Sequence, residues 1–161
     1  MIATNHPNVL VVGSGPVGLA LACQLRRLGL SVRILDKKPG PSTTSKAIGL
    51  QYRVSEILAS MGVVDRFIAR GGSPTVVNMY EKEKRLLALR FKTSDRLSGH
   101  DAFTPRPIMI PQSETEAILS ELLAKRGCTV EWGTEFVDYM QDRENVVSRI
   151  RRPCGLGGPP R

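Results

Sequence analysis

"NVLVVGSGPVGLALACQLRRLGLSVRILDKKPG", Asn8 to Gly40, is the stretch on which the rest of the chain turns. Val9 to Val12 is a continuous apolar, largely β-branched run, the pattern of a strand buried on both faces of a parallel sheet. From Gly15 onward Val17, Leu21, Leu25 and Leu28 recur at helical spacing, with Arg26 and Arg27 turned outward and Gly29 placed as a stop. That spacing predicts a helix with its apolar stripe toward the sheet. Ser31 to Asp36 then reads as a second strand. The segment is a β-α-β unit in which Gly13, Gly15 and Gly18 satisfy G-x-G-x-x-G at the strand-to-helix turn.

Each glycine meets a different demand. Gly13 permits the tight turn, Gly15 lets backbone approach a pyrophosphate without a Cβ in the way, and Gly18 allows helix and strand to pack closely. The phosphates of a dinucleotide would sit at the positive end of the helix. Asp36 closes the second strand 18 residues past Gly18, where a carboxylate accepts hydrogen bonds from ribose hydroxyls and repels a 2′-phosphate. This order of elements implies dinucleotide binding, and NADP is disfavoured at this site. The same fingerprint serves FAD and NAD, so these residues leave that choice open.

The segments beyond the fingerprint are more specific. "SGPVGLALACQLRRLGLSVRILDKKPGPSTTSKAIGLQYRVSEILASMGVVDRF", continuing in "MIPQSETEAILSELLAKRGCTVEWGTEF", resembles the FAD-binding segment of the flavoprotein aromatic hydroxylases. These are the monooxygenases similar to para-hydroxybenzoate hydroxylase and phenol hydroxylase. The resemblance covers most of the first 140 residues and rests on G-x-G-P-x-G-L, "KAIGLQYRVSEIL" and "PQSETE" together. It implies FAD as cofactor, NAD(P)H as reductant in the full-length family, and an aromatic small molecule as substrate. It also implies cofactor contacts from Lys46, which replaces a frequent Arg and loses its bidentate fork, and from Arg53 and Gln112. With Gly13, Gly15, Pro16, Gly18, Asp36 and its neighbour Lys37, these make up the expected cofactor-binding set.

The remaining pattern supplies the layout. Val54, Ile57, Leu58 and Met61 mark one face of a helix closed by Gly62, and Val64, Phe67 and Ile68 mark a shorter one. Thr75 to Tyr80 and Arg85 to Phe91 read as a hairpin around the charged "EKEK". Ser113 and Glu116 have capping-box spacing before a helix bearing Ile118, Leu119, Leu122 and Leu123, which Gly127 ends. Cys128 to Trp132 is the expected third parallel strand. The fold class is therefore α/β, a Rossmann-like β-α-β dinucleotide-binding fold with a parallel sheet interrupted by a β insertion at about 74–110.

The expected FAD-binding domain runs over 1–148, followed by a Pro/Gly/Arg-rich tail at 149–161 too biased to pack as an element. The resembling family continues with an Asp-Gly turn, a substrate domain and a Gly-Asp segment that completes the flavin site. None of these comes after Ile150. A truncated or frame-shifted product, or the N-terminal piece of a longer enzyme, is the expectation, and the isolated chain is not expected to hydroxylate. The alternative is a nonenzymatic dinucleotide-binding module; an NAD-dependent dehydrogenase is disfavoured by "KAIGLQYR" and "PQSETE".

Composition narrows the classes further. At 161 residues and 41% apolar content, one domain with one core is expected. The net charge of +8 is spread along the chain without a Lys/Arg cluster interleaved with aromatics, which argues against nucleic acid. Cys23, Cys128 and Cys154 are odd in number and lack a C-x-x-C pair, so neither a disulfide framework nor a metal site is expected, and a reducing cytoplasm fits. Apolar runs are too short for a membrane span. No catalytic acid or base stands out: His6 lies in the N-terminal lead-in, His100 in a loop rich in Ser, Gly and Asp, and the Ser/Thr run of "PSTTS" lacks a Ser-His-Asp context.

Overall fold

The structure is a computed structural model, and it describes residues 6–43, 49–90 and 107–152. In chain order the elements are β1 (Val9–Val12), α1 (Pro16–Arg27), β2 (Val32–Asp36), β3 (Gly49–Leu50), α2 (Tyr52–Ser60), α3 (Val64–Arg70), β4 (Val76–Glu81), β5 (Lys84–Arg90), β6 (Ile108–Met109), α4 (Gln112–Lys125), β7 (Val130–Trp132), β8 (Glu135–Gln141) and β9 (Val146–Arg151). Where length alone argues for one domain, the chain forms two compact units, Met1–Thr43 with Glu116–Arg161, and Thr44–Thr115.

The first unit holds the parallel sheet, in the order β1-β2-β7. Val9 to Val12 pair with Val32 to Leu35, and Ile34 to Asp36 pair with Val130 to Trp132, all parallel. The central strand is the one that is buried, at Ile34, Leu35 and Asp36. β1 is an edge among the described strands, so the expectation that it is covered on both faces is corrected: Val11 is buried, but Val12 is 54% exposed. The expected core face of α1 is corrected too. Leu19, Ala22 and Cys23 are the buried residues, while Val17 is 83% exposed and Leu21 and Leu28 also face outward. Small residues at Ala22 and Cys23 let the helix approach closely. Cys23 Sγ donates to the Leu119 carbonyl at 3.4 Å, and Ile118, Leu119 and Leu123 of α4 complete this core.

At the far end of the same helices the Arg26 guanidinium donates to the Arg126 carbonyl at 2.9 and 3.1 Å, and Arg126 Nη1 donates to the Cys23 carbonyl at 2.5 Å. Burial pushes the Cys23 thiol up to about 11, against the opposing pull of the Arg126 charge, so it is an inert core group at neutral pH. The hairpin β8–β9 reaches Arg151, so Arg149 to Arg151 are rungs of a strand and not the start of the tail. The remaining tail residues, 153–161, lie outside the described residues.

In the second unit Leu58, Met61, Val63, Val64 and Phe67 are buried with Ile108 and Ile110. The buried face of α2 is Ser55 and Leu58; Val54 and Ile57, expected inside, are 37% and 39% exposed. The β4–β5 hairpin forms where the charged turn was expected, with Lys82 at φ 54°. β3 and β6 form a second, short antiparallel pair that no periodicity announced. Beside it Met109 exchanges two backbone hydrogen bonds with Gly72, at 2.6 and 2.9 Å. A Cβ at the preceding Gly71 would stand 2.7 Å from the Met109 carbonyl oxygen and 2.9 Å from that of Phe67. Gly71→Ala is therefore expected to cost about 1–3 kcal/mol, read as a lowered urea midpoint at unchanged slope.

Candidate functional site

The strand-to-helix turn of the first unit is built from backbone. Gly13 adopts φ 98°, a left-handed conformation that side chains disfavour, and its N–H donates to the Leu35 carbonyl at 2.8 Å. Gly15 is the N-cap of α1, and Pro16 occupies the first helical position, where a missing N–H costs nothing. A Cβ placed on Gly15 or Gly13 would meet no atom within 4 Å, whereas one on Gly18 would overlap the Gly13 carbonyl oxygen. So the turn is packed tightly on its inner side and open on its outer side. A groove of about 480 Å³ borders the turn, lined by Val12, Gly13, Gly15, Val17, Gly18 and Leu21 among others. No side chain caps the N-terminal N–H groups of this 12-residue helix, and such an end is a suitable seat for phosphate oxygens.

Asp36 is buried, and its carboxylate is engaged by the turn itself. Oδ2 accepts from the Ser14 N–H and from Ser14 Oγ, each at 2.8 Å, and Oδ1 accepts from the Lys38 N–H at 2.9 Å. A carboxylate oxygen has two lone pairs, so Oδ1 retains one acceptor position for a ribose hydroxyl. Burial pushes this carboxyl upward; the hydrogen bonds from Lys38 and Ser14 and the Lys38 ammonium together outweigh burial and hold it below its ordinary value. Glu131, in β7, is likewise held low, by the two-pronged Arg33 guanidinium at 2.5 and 2.9 Å first, against burial, with Arg152 adding to it.

Both folded values are depressed, so both carboxylates stabilise the fold above the unfolded value of about 4 and lose that contribution as pH falls through the folded one. The chain is expected to lose stability steeply below about pH 4, and Asp36→Asn should flatten the acid limb of an unfolding midpoint measured against pH.

A family model described as an FAD binding domain matches residues 6–155. The chain belongs to this FAD-binding family. Membership settles the choice that the glycine fingerprint leaves open, in favour of FAD. The 6-methylpretetramide 4-monooxygenase of Streptomyces rimosus is 37% identical over 147 residues, covering 91% of this chain and 26% of that enzyme. The pentachlorophenol 4-monooxygenase of Sphingobium chlorophenolicum is 32% identical over 149 residues, 91% of this chain and 27% of that enzyme. Among solved structures, aklavinone-11 hydroxylase in complex with FAD and aklavinone superposes with a TM-score of 0.79 at 26% identity, covering 96% of this chain and 31% of that one. This FAD-binding chain thus spans between a quarter and a third of the length of these relatives.

The fold brings Gly13, Gly15, Pro16, Gly18 and Asp36 to one turn, with Lys37 exposed beside them. Arg53 and Gln112 belong to the second unit. Arg53, in the first turn of α2, has an 82% exposed side chain that pairs with Glu56 at 2.5 Å. Gln112 is the first residue of α4. Lys46 lies outside the described residues. Ser113 therefore lies inside α4, and the expected capping box does not form; Glu116 is buried and accepts from the Ser42 N–H at 3.4 Å.

Ser14, Lys38, Trp132 and Glu116 are the site residues that sequence reasoning missed. Ser14 lies within the glycine motif, and Glu116 within "PQSETE", where its spacing reads as a helix cap. Among the described residues there is no cluster of potential metal ligands and no helix long and apolar enough to cross a membrane.

Proposed function

We propose that this chain is the FAD-holding portion of an NAD(P)H-dependent monooxygenase that hydroxylates an aromatic small molecule. The observation that carries the reading is the convergence of the open Gly13–Gly15 turn and Asp36 at the C-terminal ends of β1 and β2, in a chain matched by the FAD-binding family over residues 6–155. In this reading the amides of the turn and the start of α1 bind the pyrophosphate, Gly15 provides the clearance, and Asp36 Oδ1 accepts from the ribose. Lys37 supplies a further contact beside the turn, and the family resemblance assigns Lys46, Arg53 and Gln112 to the phosphate and ribityl groups. Bound FAD supplies the redox chemistry, with electrons from NAD(P)H and oxygen from O2. The chain's own residues bind and orient, and no acid or base is assigned among them.

Support for the substrate class comes from relatives whose names denote monooxygenation of 6-methylpretetramide and pentachlorophenol. A cytoplasmic setting accords with Cys23 and Cys128 being free and buried. The test is the absorbance of the purified chain from about 300 to 550 nm, where oxidised flavin absorbs, and then calorimetric titration with FAD and with NAD. Retained flavin, or saturable binding of FAD in preference to NAD, is the expected result. Binding of neither, in a chain shown to be folded, would overturn it in favour of an inert nucleotide-binding relic.

A further inference from the structure

The loop after β2 is gripped by one side chain. Lys38 Nζ donates to Ser42 Oγ at 2.9 Å, stands 3.7 Å from Asp36 Oδ2, and lies 5.9 Å from the ring centroid of Trp132. Trp132 is opposite Asp36 in the parallel register, so three of these four groups rise from the C-terminal ends of adjacent strands or the loop directly after them. The backbone of the same loop is tied to the next crossing of the chain: Gly133 N–H donates to the Lys38 carbonyl at 2.8 Å and Thr134 N–H to the Asp36 carbonyl at 3.0 Å. Ser42 is held on its other side by Glu116. The result is a continuous polar chain, Ser14–Asp36–Lys38–Ser42–Glu116, that leads from the glycine turn to α4 within one unit.

We infer that Lys38 is a positioning residue of the dinucleotide site: its ammonium fixes the loop over Asp36, Ser42 and Trp132, and so presets the remaining acceptor of Asp36 for a ribose hydroxyl. The inference rests on the FAD-binding reading and adds a residue to it. The chemistry suits lysine, whose three donors and compact charge satisfy a hydroxyl, a carboxylate and a ring face at once. Pro39 and Pro41 stiffen the short span between Lys38 and Ser42, so one contact at each end orders the loop. Asp36 touches the ligand in this scheme, and Lys38 acts through it.

Trp132 is the sole tryptophan, so its emission reports on this cluster alone. The experiment titrates the full chain with ADP, which carries the ribose and diphosphate without a flavin to quench the indole, and with AMP and FAD. Lys38→Met is expected to weaken ADP, AMP and FAD binding by similar factors, roughly threefold to tenfold, and to change the Trp132 response. Lys38→Arg, which keeps a positive charge over the ring, should recover part of the lost binding, and Lys125→Met, which removes the same charge from an exposed position on α4, should leave binding unchanged.

Three results would overturn the inference: Lys38→Met binding ADP as the wild type does, Lys125→Met weakening it equally, or a loss for ADP much larger than for AMP, which would make Lys38 a direct diphosphate contact. A wild-type chain that binds none of the three nucleotides fails the FAD-binding reading itself, and the role of Lys38 falls with it.

Discussion

Gly18→Ala is expected to destabilise the β1-α1-β2 unit severely. A Cβ on Gly18 would occupy the space of the Gly13 carbonyl oxygen, and it would also stand 3.1 Å from the carbon of that carbonyl and 3.5 Å from Val11 Cγ1. The obstacle is backbone, so no rotamer change relieves it. Neither partner is free to withdraw: Gly13 is held by its hydrogen bond to Leu35 and by its left-handed φ of 98°, and α1 is tied down by Cys23 Sγ donating to the Leu119 carbonyl at 3.4 Å and Arg26 donating to the Arg126 carbonyl at 2.9 and 3.1 Å. Overpacking against immovable atoms costs about 3 kcal/mol or more, a large share of the roughly 5–15 kcal/mol that keeps a domain folded. The comparison is Gly40→Ala, whose Cβ meets nothing within 4 Å. Urea unfolding of both variants should show a collapse of the midpoint for the first and little change for the second. Equal midpoints would mean that helix and strand do not approach as closely as described.

That close approach was legible in the sequence, because G-x-G-x-x-G, the strand before it and the acid after it are contiguous and each has one physical use. The third parallel strand was legible for the same reason, Val130 to Trp132 falling within the expected Cys128 to Trp132. The orientation of α1 was not. Periodicity reports that a helix has an apolar stripe, not which neighbour covers it, and α1 has two candidates: Val17–Leu21–Leu28, which is exposed, and Leu19–Ala22–Cys23, which is buried. Leu19 fills the buried side and Ala22 and Cys23 let the helix come close, whereas Val17, Leu21 and Leu28 face outward.

Glu116 was misread for a related reason. Its spacing from Ser113 fits a capping box, but Pro111 precedes the helix and α4 starts at Gln112, which places Ser113 within the first turn and leaves Glu116 for the Ser42 amide. Lys38 and Trp132 are 94 positions apart and meet only because β2 and β7 pair in parallel, a register that no local pattern encodes.

Gly15→Val is expected to abolish saturable FAD binding while the fold survives. The contrast with Gly18 is in the surroundings: Gly15 has φ −68° and ψ 178°, a conformation open to any residue, and nothing lies within 4 Å of its would-be Cβ. The protein itself therefore tolerates the side chain, apart from about 1 kcal/mol for replacing a good N-cap residue with a poor one. The two methyl groups would instead occupy the open space at the start of α1, where Gly15 lines the groove. A pyrophosphate must reach the amides there to within about 3 Å to form hydrogen bonds, and valine holds it off by more than that margin allows. Loss of several such charge-assisted bonds, each about 1.5–3 kcal/mol, reduces affinity by at least about 100-fold. Calorimetry with FAD on a variant whose thermal midpoint stays near wild type checks the prediction. Undiminished affinity in the folded variant would mean that the open space over Gly15 is not where the pyrophosphate lies, and with Gly18→Ala as the partner measurement, loss of the ligand is separated from loss of the fold.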